Sequence, residues 1–478
     1  MSILDLQFKG GNMTHEYNDV HKDYAKNLAR WNLVEDVVKS RVKGGGCNNR
    51  EFYLPKPNPH DKSARNNAAF DNYVKRAHFY NFTKPTENTI IGSIFKKEPV
   101  IELVGIDYAI DDIDGSGLPA KQQAKNAARE ISESGRGGLF VDYTSIEQLD
   151  NQADEEALDA RPIAIFYKAT QILNWEMRVI GGRRRLGSVV LAEWRDSNAE
   201  KHDRERVLSL DESGLFQIDV YDYEDGELID HEIFFGSDSR GQRLNYVPFQ
   251  FLGALDNDET VDEALLYELA DLNVSHFQSS ADYEDFRYKL GQIQPFISGV
   301  NKTDIEKNMG EGGSLEFGSG VAWVFGEGAS AELLQAKPNS VNMESMLHKE
   351  AQAVATGAKL LDPKTGNTSA TEAEIVSSSE AASQLTIVSN LESAYKRVFE
   401  MMLDRVQSGS SEISFSRDFA TAKLSSDELR VLAESTIKGA LPDLILFDRL
   451  RKAGYVPDGI TDEDLRSLVS LSPVGLGL

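Results

Sequence analysis

Between residues 369 and 406 the apolar positions Ile375, Ala382, Leu385, Val388, Leu391, Tyr395, Val398, Met402 and Val406 recur at three- and four-residue steps, after one wider first step. That rhythm predicts one continuous helix, and at 1.5 Å per residue it would be about 55 Å long. Such a rod does not fit inside a small core; it spans an assembly or lies along a large domain. The 478 residues supply enough chain for two or more domains, or one elongated shape, around it.

Ahead of the rod the periodicity changes twice. Residues 15–41 place Tyr17, Val20, Tyr24, Leu28, Trp31, Val34 and Val38 at helical spacing, and Gly44-Gly45-Gly46 stops the pattern. A stretch with three prolines follows at 54–61, then helical patterns over 68–82 and 85–95, with Pro85 at a helix boundary. Asp111 to Gly115 signals a turn, 118–134 reads as a small-residue helix, and Gly135 to Gly138 as a glycine turn entering a strand at Leu139. From 162 to 252 the period is two, as at Ile163, Ile165 and Tyr167 or Phe216, Ile218 and Val220. Gly181-Gly182, Ser213-Gly214 and Asp225-Gly226 are its hairpin turns, so the block is mostly antiparallel β. Helical spacing returns over 261–287 with Leu265, Leu269, Leu272, His276 and Tyr283, and again over 341–355. Between these lies a glycine-rich insert, 291–331; 357–367 is a turn-rich break, and 426–469 reads as three short helices. The class is α+β: helices, a β-rich block, two helices enclosing an insert, then the rod.

Enzyme chemistry is absent from the motifs. No segment has the glycine spacing and lysine that cradle a phosphate, and Gly135-Arg136-Gly137-Gly138 precedes a strand where a dinucleotide loop would follow one. Asp112-Ile113-Asp114-Gly115 resembles part of a calcium loop, but the first and twelfth positions of such a loop fall on Ile110 and Lys121. Cys47 has no histidine near it in sequence, and the eight histidines form no ligand pair at helical spacing. Glu372 and Glu374, two apart, do not face each other on a helix. Asp262 and Glu263 are expected at a helix start, where negative charge suits the dipole. No catalytic residue, metal or cofactor is expected. One cysteine excludes an intrachain disulfide and makes a reducing compartment the default. The N-terminus shows no basic-then-apolar leader, and no apolar run is long enough to span a bilayer.

Charge narrows the partners. Lys and Arg number 51 against 77 Asp and Glu, a net charge of −26. Such a chain is ill suited to grip nucleic acid through many phosphate contacts, but nucleic acid can still slide past it. Seven acids and one arginine fall within 261–287. Alone, this is an ordinary surface helix; in a ring of identical subunits Glu263, Glu268 and Asp271 would line the lumen or pair between subunits. Arg183-Arg184-Arg185 is the compact basic run, read as a solvated hairpin tip, as an outer or intersubunit contact, or as a touch on nucleic acid.

Five segments, in order, resemble the portal protein of tailed bacteriophages, in a compact portal-like family. They are Tyr73-Val74-Lys75-Arg76-Ala77-His78-Phe79-Tyr80-Asn81-Phe82-Thr83-Lys84-Pro85-Thr86, then Ile91-Gly92-Ser93-Ile94-Phe95-Lys96-Lys97-Glu98-Pro99, then Asp112-Ile113-Asp114-Gly115. Gly135-Arg136-Gly137-Gly138-Leu139-Phe140-Val141-Asp142-Tyr143 and Leu272-Asn273-Val274-Ser275-His276-Phe277-Gln278-Ser279-Ser280-Ala281-Asp282 complete the set. The resemblance implies a portal fold: a wing over 1–255, a first stem helix within 256–287, a clip over 288–338 and a second stem helix over 339–356. A tunnel loop at 357–367, a long helix returning to the wing over 368–424 and a helical crown over 425–478 follow. It implies a homododecamer at the unique capsid vertex of the virion, assembled in the host cytoplasm, through which double-stranded DNA is packaged and ejected. Its partners would be major capsid and scaffolding proteins, the large terminase, and head-tail adaptor or tail proteins, without membrane insertion. Lys359, Lys364 and Asn367 would let the tunnel loop touch DNA. The portal itself would hydrolyse no nucleotide. A different capsid-associated ring, or a head-tail adaptor, is the alternative.

Overall fold

A computed structural model describes residues 20–44, 50–143, 161–195, 202–290, 294–308, 324, 326–334, 341–357, 370–406, 409–417, 426–437, 442–452, 456 and 460–465. The chain begins with helices α1 (Lys22–Val38), α2 (Arg50–Tyr53), α3 (Ala64–Arg76) and α4 (Thr83–Ile94), strand β1 (Val100–Val104) and helix α5 (Ala120–Ser134). Eight strands follow: β2 (Arg136–Tyr143), β3 (Pro162–Lys168), β4 (Ile172–Ile180), β5 (Arg183–Glu193), β6 (Arg204–Leu210), β7 (Phe216–Glu224), β8 (Glu227–Phe234) and β9 (Phe249–Gly253). Then come α6 (Tyr267–Leu290), β10 (Gln294–Ser298), α7 (Lys302–Asn308), β11 (Ser330–Leu334) and α8 (Val341–Ala355). The chain continues with α9 (Ala370–Leu403), β12 (Ser410–Ser414), α10 (Ser426–Ile437) and α11 (Asp443–Lys452).

Two compact units result: Met1–Glu35 with Pro85–Tyr267 and Asp362–Leu478, and Asp36–Lys84 with Glu268–Leu361. The division departs from a wing running unbroken over 1–255, because residues 36–84 cluster with 268–361.

In the first unit, β4 to β8 form an antiparallel meander in sequence order, and β3-β2-β9 a three-stranded sheet. The β4–β5 and β7–β8 turns fall on Gly181-Gly182 and Asp225-Gly226, all four residues at positive φ, as tight hairpins require. The long helix is present as α9, 34 residues and about 50 Å. Its buried stripe is Ile387, Val388, Leu391, Ala394, Tyr395, Val398, Phe399 and Met402. Leu385, expected in that stripe, is exposed, and Gln384 takes the inward position. The alanine face of α5 joins the same core through Ala120, Ala124, Ala127 and Ala128. Tyr395 donates to Gln123 Oε1 at 3.1 Å, and Gln123 Nε2 donates to the Ala164 carbonyl at 2.7 Å, so the core's polar atoms are paired.

Several boundaries move for physical reasons. The expected helix 68–82 is 64–76, because the Ser63 side chain caps its start by accepting from Asn66 N and the backbone turns extended at Ala77. Of the glycines at 135–138 only Gly135 is a turn residue; it has φ +73, and a Cβ there would collide with the Asp262 carbonyl. Gly137 and Gly138 are already in β2, where the rings of Phe166 and Phe249 occupy the space a Cβ would need. The pairing of β1 with β12 was not expected at all.

A buried acidic group lies in this unit. Glu133 of α5 is hydrogen-bonded to Glu87 of α4, with Glu130 and Glu35 adding negative charge, and Arg129 Nη1 approaches Glu87 Oε2 at 3.1 Å. Burial first, and these carboxylates next, push the Glu133 carboxyl up to about 8. A carboxyl held protonated in the fold costs nothing at low pH; stability is lost as pH rises from about 4.5 towards about 8, where only the unfolded chain releases the proton. Glu133→Gln is therefore expected to raise the thermal midpoint at pH 8 by about a few °C and to leave it unchanged near pH 4.5, by scanning calorimetry.

Candidate functional site

The second unit is organised by α6. Its fully or nearly buried positions are Leu269, Ala270, Asn273, Val274, His276, Phe277, Ser280 and Ala281, so polar groups sit inside the packed face. Asn273 is fully buried, and each end of its amide is bonded. Oδ1 accepts from Phe82 N at 3.1 Å, Thr83 N at 3.3 Å and Thr83 Oγ1 at 3.0 Å, while Nδ2 donates to the Tyr80 carbonyl at 2.8 Å. These are the backbone donors left without intrahelical partners where α4 begins, and Asn81 Oδ1 takes the next one, from Lys84 N, at 2.9 Å. Two of the sequence segments that resemble portals thus meet side chain to backbone. Phe79 and Phe277, in the same two segments, pack edge to face at 5.5 Å.

Polar staples join α6 to α8. Lys349 Nζ donates to the Ser275 carbonyl at 2.9 Å and Ser279 Oγ at 2.7 Å, and His276 Nε2 lies 3.2 Å from Glu350 Oε1. Leu269 clusters with Ala353, so the helices run antiparallel. Burial lowers the His276 pKa although Glu350 opposes this, so the imidazole is neutral at pH 7. Its Nε2–H then faces the Glu350 carboxylate and its Nδ1 has no partner among the described residues. Burial also lowers the Lys349 pKa. None of Asn273, Lys349 and Glu350 follows from hydropathy; the one sequence signal is an asparagine flanked at helical spacing by Leu269, Ala270 and Phe277.

Between the two helices, β10 and β11 pair antiparallel from Gln294↔Leu334 to Ser298↔Ser330. The insert predicted between two helices is therefore present, with 309–323 outside the described residues.

The acidic candidates separate. Helix α6 starts at Tyr267, so Glu263 lies before it and is exposed. Asp262 does not serve the helix dipole: its Oδ2 accepts from Leu255 N at 2.7 Å and Asp256 N at 3.3 Å, closing a loop. Leu265, expected in the apolar stripe, is likewise outside the helix and exposed. Glu268 and Asp271 sit three residues apart on one exposed face of α6, and neither has an ion-pair partner among the described residues. Arg183, Arg184 and Arg185 open β5 beside the turn, opposite Ile180, Val179 and Arg178. Arg184 Nη2 binds Glu259 at 2.5 Å and Arg185 Nη1 reaches the Asn245 carbonyl at 3.5 Å, while Arg183 has no partner among the described residues. Lys359, Lys364 and Asn367 lie outside the described residues.

An open hollow of about 400 Å³ in the first unit is lined by Asp238, Arg240, Arg243, Tyr246, Leu403 and Asp404, among others. Tyr246 donates to Asp404 Oδ2 there at 2.7 Å, and Arg243 pairs with Asp211, outside the lining, at 2.9 Å. Among the described residues no three His, Cys, Asp or Glu side chains are placed to hold a metal. No helix among them is long and apolar enough to cross a membrane.

Residues 265–404 match a family described as "Domain of unknown function (DUF4055)". No curated protein matches the chain. A chain of the "Virion of native gene transfer agent (GTA) particle" is similar at 10% identity, over 84% of this chain and 93% of that one, with a TM-score of 0.39. A chain of the "Neck of native GTA particle computed with C12 symmetry" is similar at 13% identity, over 84% and 93%, with a TM-score of 0.40. An HK97 family phage portal protein from Corynebacterium diphtheriae is similar at 9% identity, over 70% and 92%, with a TM-score of 0.31. Likenesses at this level say nothing of function.

Removing the Asn273 amide leaves two buried backbone N–H groups without their acceptor, while the Thr83 hydroxyl keeps only the Leu269 carbonyl at 3.5 Å. Asn273→Ala is expected to destabilise the second unit by about 2–4 kcal/mol, read as a lower urea midpoint and faster amide exchange at Phe82 and Thr83.

Proposed function

We propose that the chain is a portal subunit: twelve copies form a ring at the unique capsid vertex, and double-stranded DNA passes through the ring during packaging and ejection. The observation that carries this reading is the antiparallel pair α6 and α8, which brackets an insert and leaves α8 without enough partners of its own. Only Ala353 of α8 is fully buried, whereas Val341, Met343 and Leu347 are exposed. A 15-residue helix is marginal in water unless an apolar face is packed. A closed ring supplies that packing from the next subunit. Helices α6 and α8 are then the stem, and the β10–β11 insert is the clip. Residues 357–367 serve as the tunnel loop, the sheets and α9 as the wing, and 425–478 as the crown.

Glu268 and Asp271 present negative charge without neutralising partners, together with Glu263 just before the helix. Facing the channel, they give a polyanion no foothold and favour its passage. Lys359, Lys364 and Asn367 supply the brief contacts from the tunnel loop, and Arg183 to Arg185 serve contacts between subunits. Capsid and scaffolding proteins, the large terminase and head-tail adaptor or tail proteins are the partners at the vertex of the virion.

Electron microscopy of the purified protein is expected to show closed rings with an axial channel wide enough for duplex DNA. A chain that stays monomeric at assembly concentrations would count decisively against the reading. Met343→Glu combined with Leu347→Glu is expected to abolish rings while the circular dichroism of the subunit is retained. Rings that survive this change would show that α8 is not the subunit contact.

A further inference from the structure

The two edges of the five-stranded sheet differ in a way that the ring reading alone does not use. Strand β8 is the last strand of that sheet, and no described residue pairs with its outer edge. From Glu227 to Ile233 every residue is exposed, which leaves both faces of the strand open. Leu228, Ile229, Ile233 and the following Phe235 are each about half exposed. The register with β7 shifts by one residue at Ile229, and beyond that bulge the strand is held against β7 by His231, which stacks on Tyr221 at 4.3 Å and bonds Asp219 at 3.1 Å. Edge strands are normally shortened, covered, bulged, charged, or interrupted by proline or lysine; β8 carries one bulge and three acids but no proline, no lysine and no covering element among the described residues.

Its charges are Glu227, Asp230 and Glu232. The opposite edge is β4. Its beginning is covered, because His21 N donates to the Leu173 carbonyl at 2.9 Å. Its end, from Glu176 to Ile180, is open, and Val179 there is largely exposed. That end carries Arg178, paired with Glu176 at 2.7 Å, and adjoins Arg183, Arg184 and Arg185 across the hairpin, of which Arg184 is paired with Glu259, so its balance is basic through Arg183 and Arg185. One edge of the sheet is therefore acidic and apolar, and the other is basic and apolar.

We infer that β8 of one copy pairs with the open end of β4 in the next copy, so that the five-stranded sheets join edge to edge around the assembly. A second copy is the occupant that the charges select. Pairing β8 with another β8 would bring three acids against three acids, which destabilises a strand pair. Pairing it with the β4–β5 hairpin brings Asp230 and Glu232 to the arginines. Direction fits as well: four antiparallel steps separate β4 from β8, so the two strands run the same way. A copy displaced sideways with little rotation then offers β4 parallel to β8. The contact is heterologous, the kind that closes into rings, and does not form a two-fold dimer. This inference rests on the reading of the chain as a ring subunit and names the wing surface through which neighbours would meet.

Cross-linking tests it in the full chain with Cys47→Ser as background. Val179→Cys and Ile233→Cys together should give, on mild oxidation of assembled protein, a ladder of covalent species longer than dimers. Each cysteine alone should give monomers. Dimers from Ile233→Cys alone would overturn the inference in favour of β8 pairing with itself. Charge reversal provides a second measurement, independent of the exact register. Asp230→Arg with Glu232→Arg, and separately Arg183→Glu with Arg185→Glu, should each lose most of the rings seen by native mass spectrometry, and the four changes together should recover them. Rings that persist in both half-reversed proteins overturn the strand pairing alone. A wild-type chain that never forms rings overturns the ring reading along with it.

Discussion

A buried amide is tolerable only when its oxygen and nitrogen are both bonded, and Asn273 meets that condition with groups from one short stretch, Tyr80 to Thr83. The requirement acts in both directions. The first N–H groups of a helix need acceptors, so the chain at Phe82 and Thr83 is held where Asn273 can reach it. Asn273 in turn can be buried only because those donors are there. Once this register is set, Phe79 meets Phe277, and the Phe82 ring stands edge-on to His276 at 5.9 Å. On the next turns of α6, Ser275, His276 and Ser279 bond the facing positions of α8. A Leu in place of Asn273 would fill the space but fix no register, which is the use to which buried polar groups are best suited.

The same unit shows why polar staples matter more here than apolar area. Helix α8 buries a single residue fully, so its place on α6 depends on Lys349 and Glu350 rather than on an apolar stripe. Directional bonds hold one geometry while Met343 and Leu347 stay exposed. A helix pair joined by a large apolar seam would have no such face to spare.

Legibility followed physics closely. Helix α8 was readable to the residue and α9 nearly so, because their periodicity is unbroken and their ends are marked by glycine or turn residues. The hairpins were readable because only glycine and a few polar residues accept the positive φ of a tight turn. Strand β12, Ser-Ser-Glu-Ile-Ser, was not: one apolar residue in five gives no alternation, and its strand character comes from pairing with β1 across some three hundred residues of sequence. Gly137 and Gly138 misled for a related reason, since glycine marks a turn and a close ring contact equally well, and here the rings of Phe166 and Phe249 decide. Glu268 and Asp271 share an exposed face of α6, whereas Asp262 and Glu263, expected at the helix start, fall outside it because loop closure at Leu255 and Asp256 claims the Asp262 carboxylate. Asn273 and its partners were beyond reach, because a long-range polar contact leaves no periodic trace.

The acidic excess acquires a sharper meaning from where the cations go. In the five-stranded sheet Arg204 holds Asp222 at 2.6 Å, and Arg206 spans Asp142 at 2.6 Å and Glu193 at 3.0 Å. Arg195 and Arg243 are likewise set against Asp203 and Asp211. Elsewhere Arg136 is buried between Trp175 and Phe251, with Nη1 donating to the Glu259 and Thr260 carbonyls. These arginines are spent on structure, so fewer cations remain to meet phosphate than 51 Lys and Arg would suggest. Affinity for a polyanion grows with the number of phosphates neutralised. With these arginines already bonded, and with Glu268 and Asp271 lacking an ion-pair partner among the described residues, fewer of the chain's cations are left to accumulate that number.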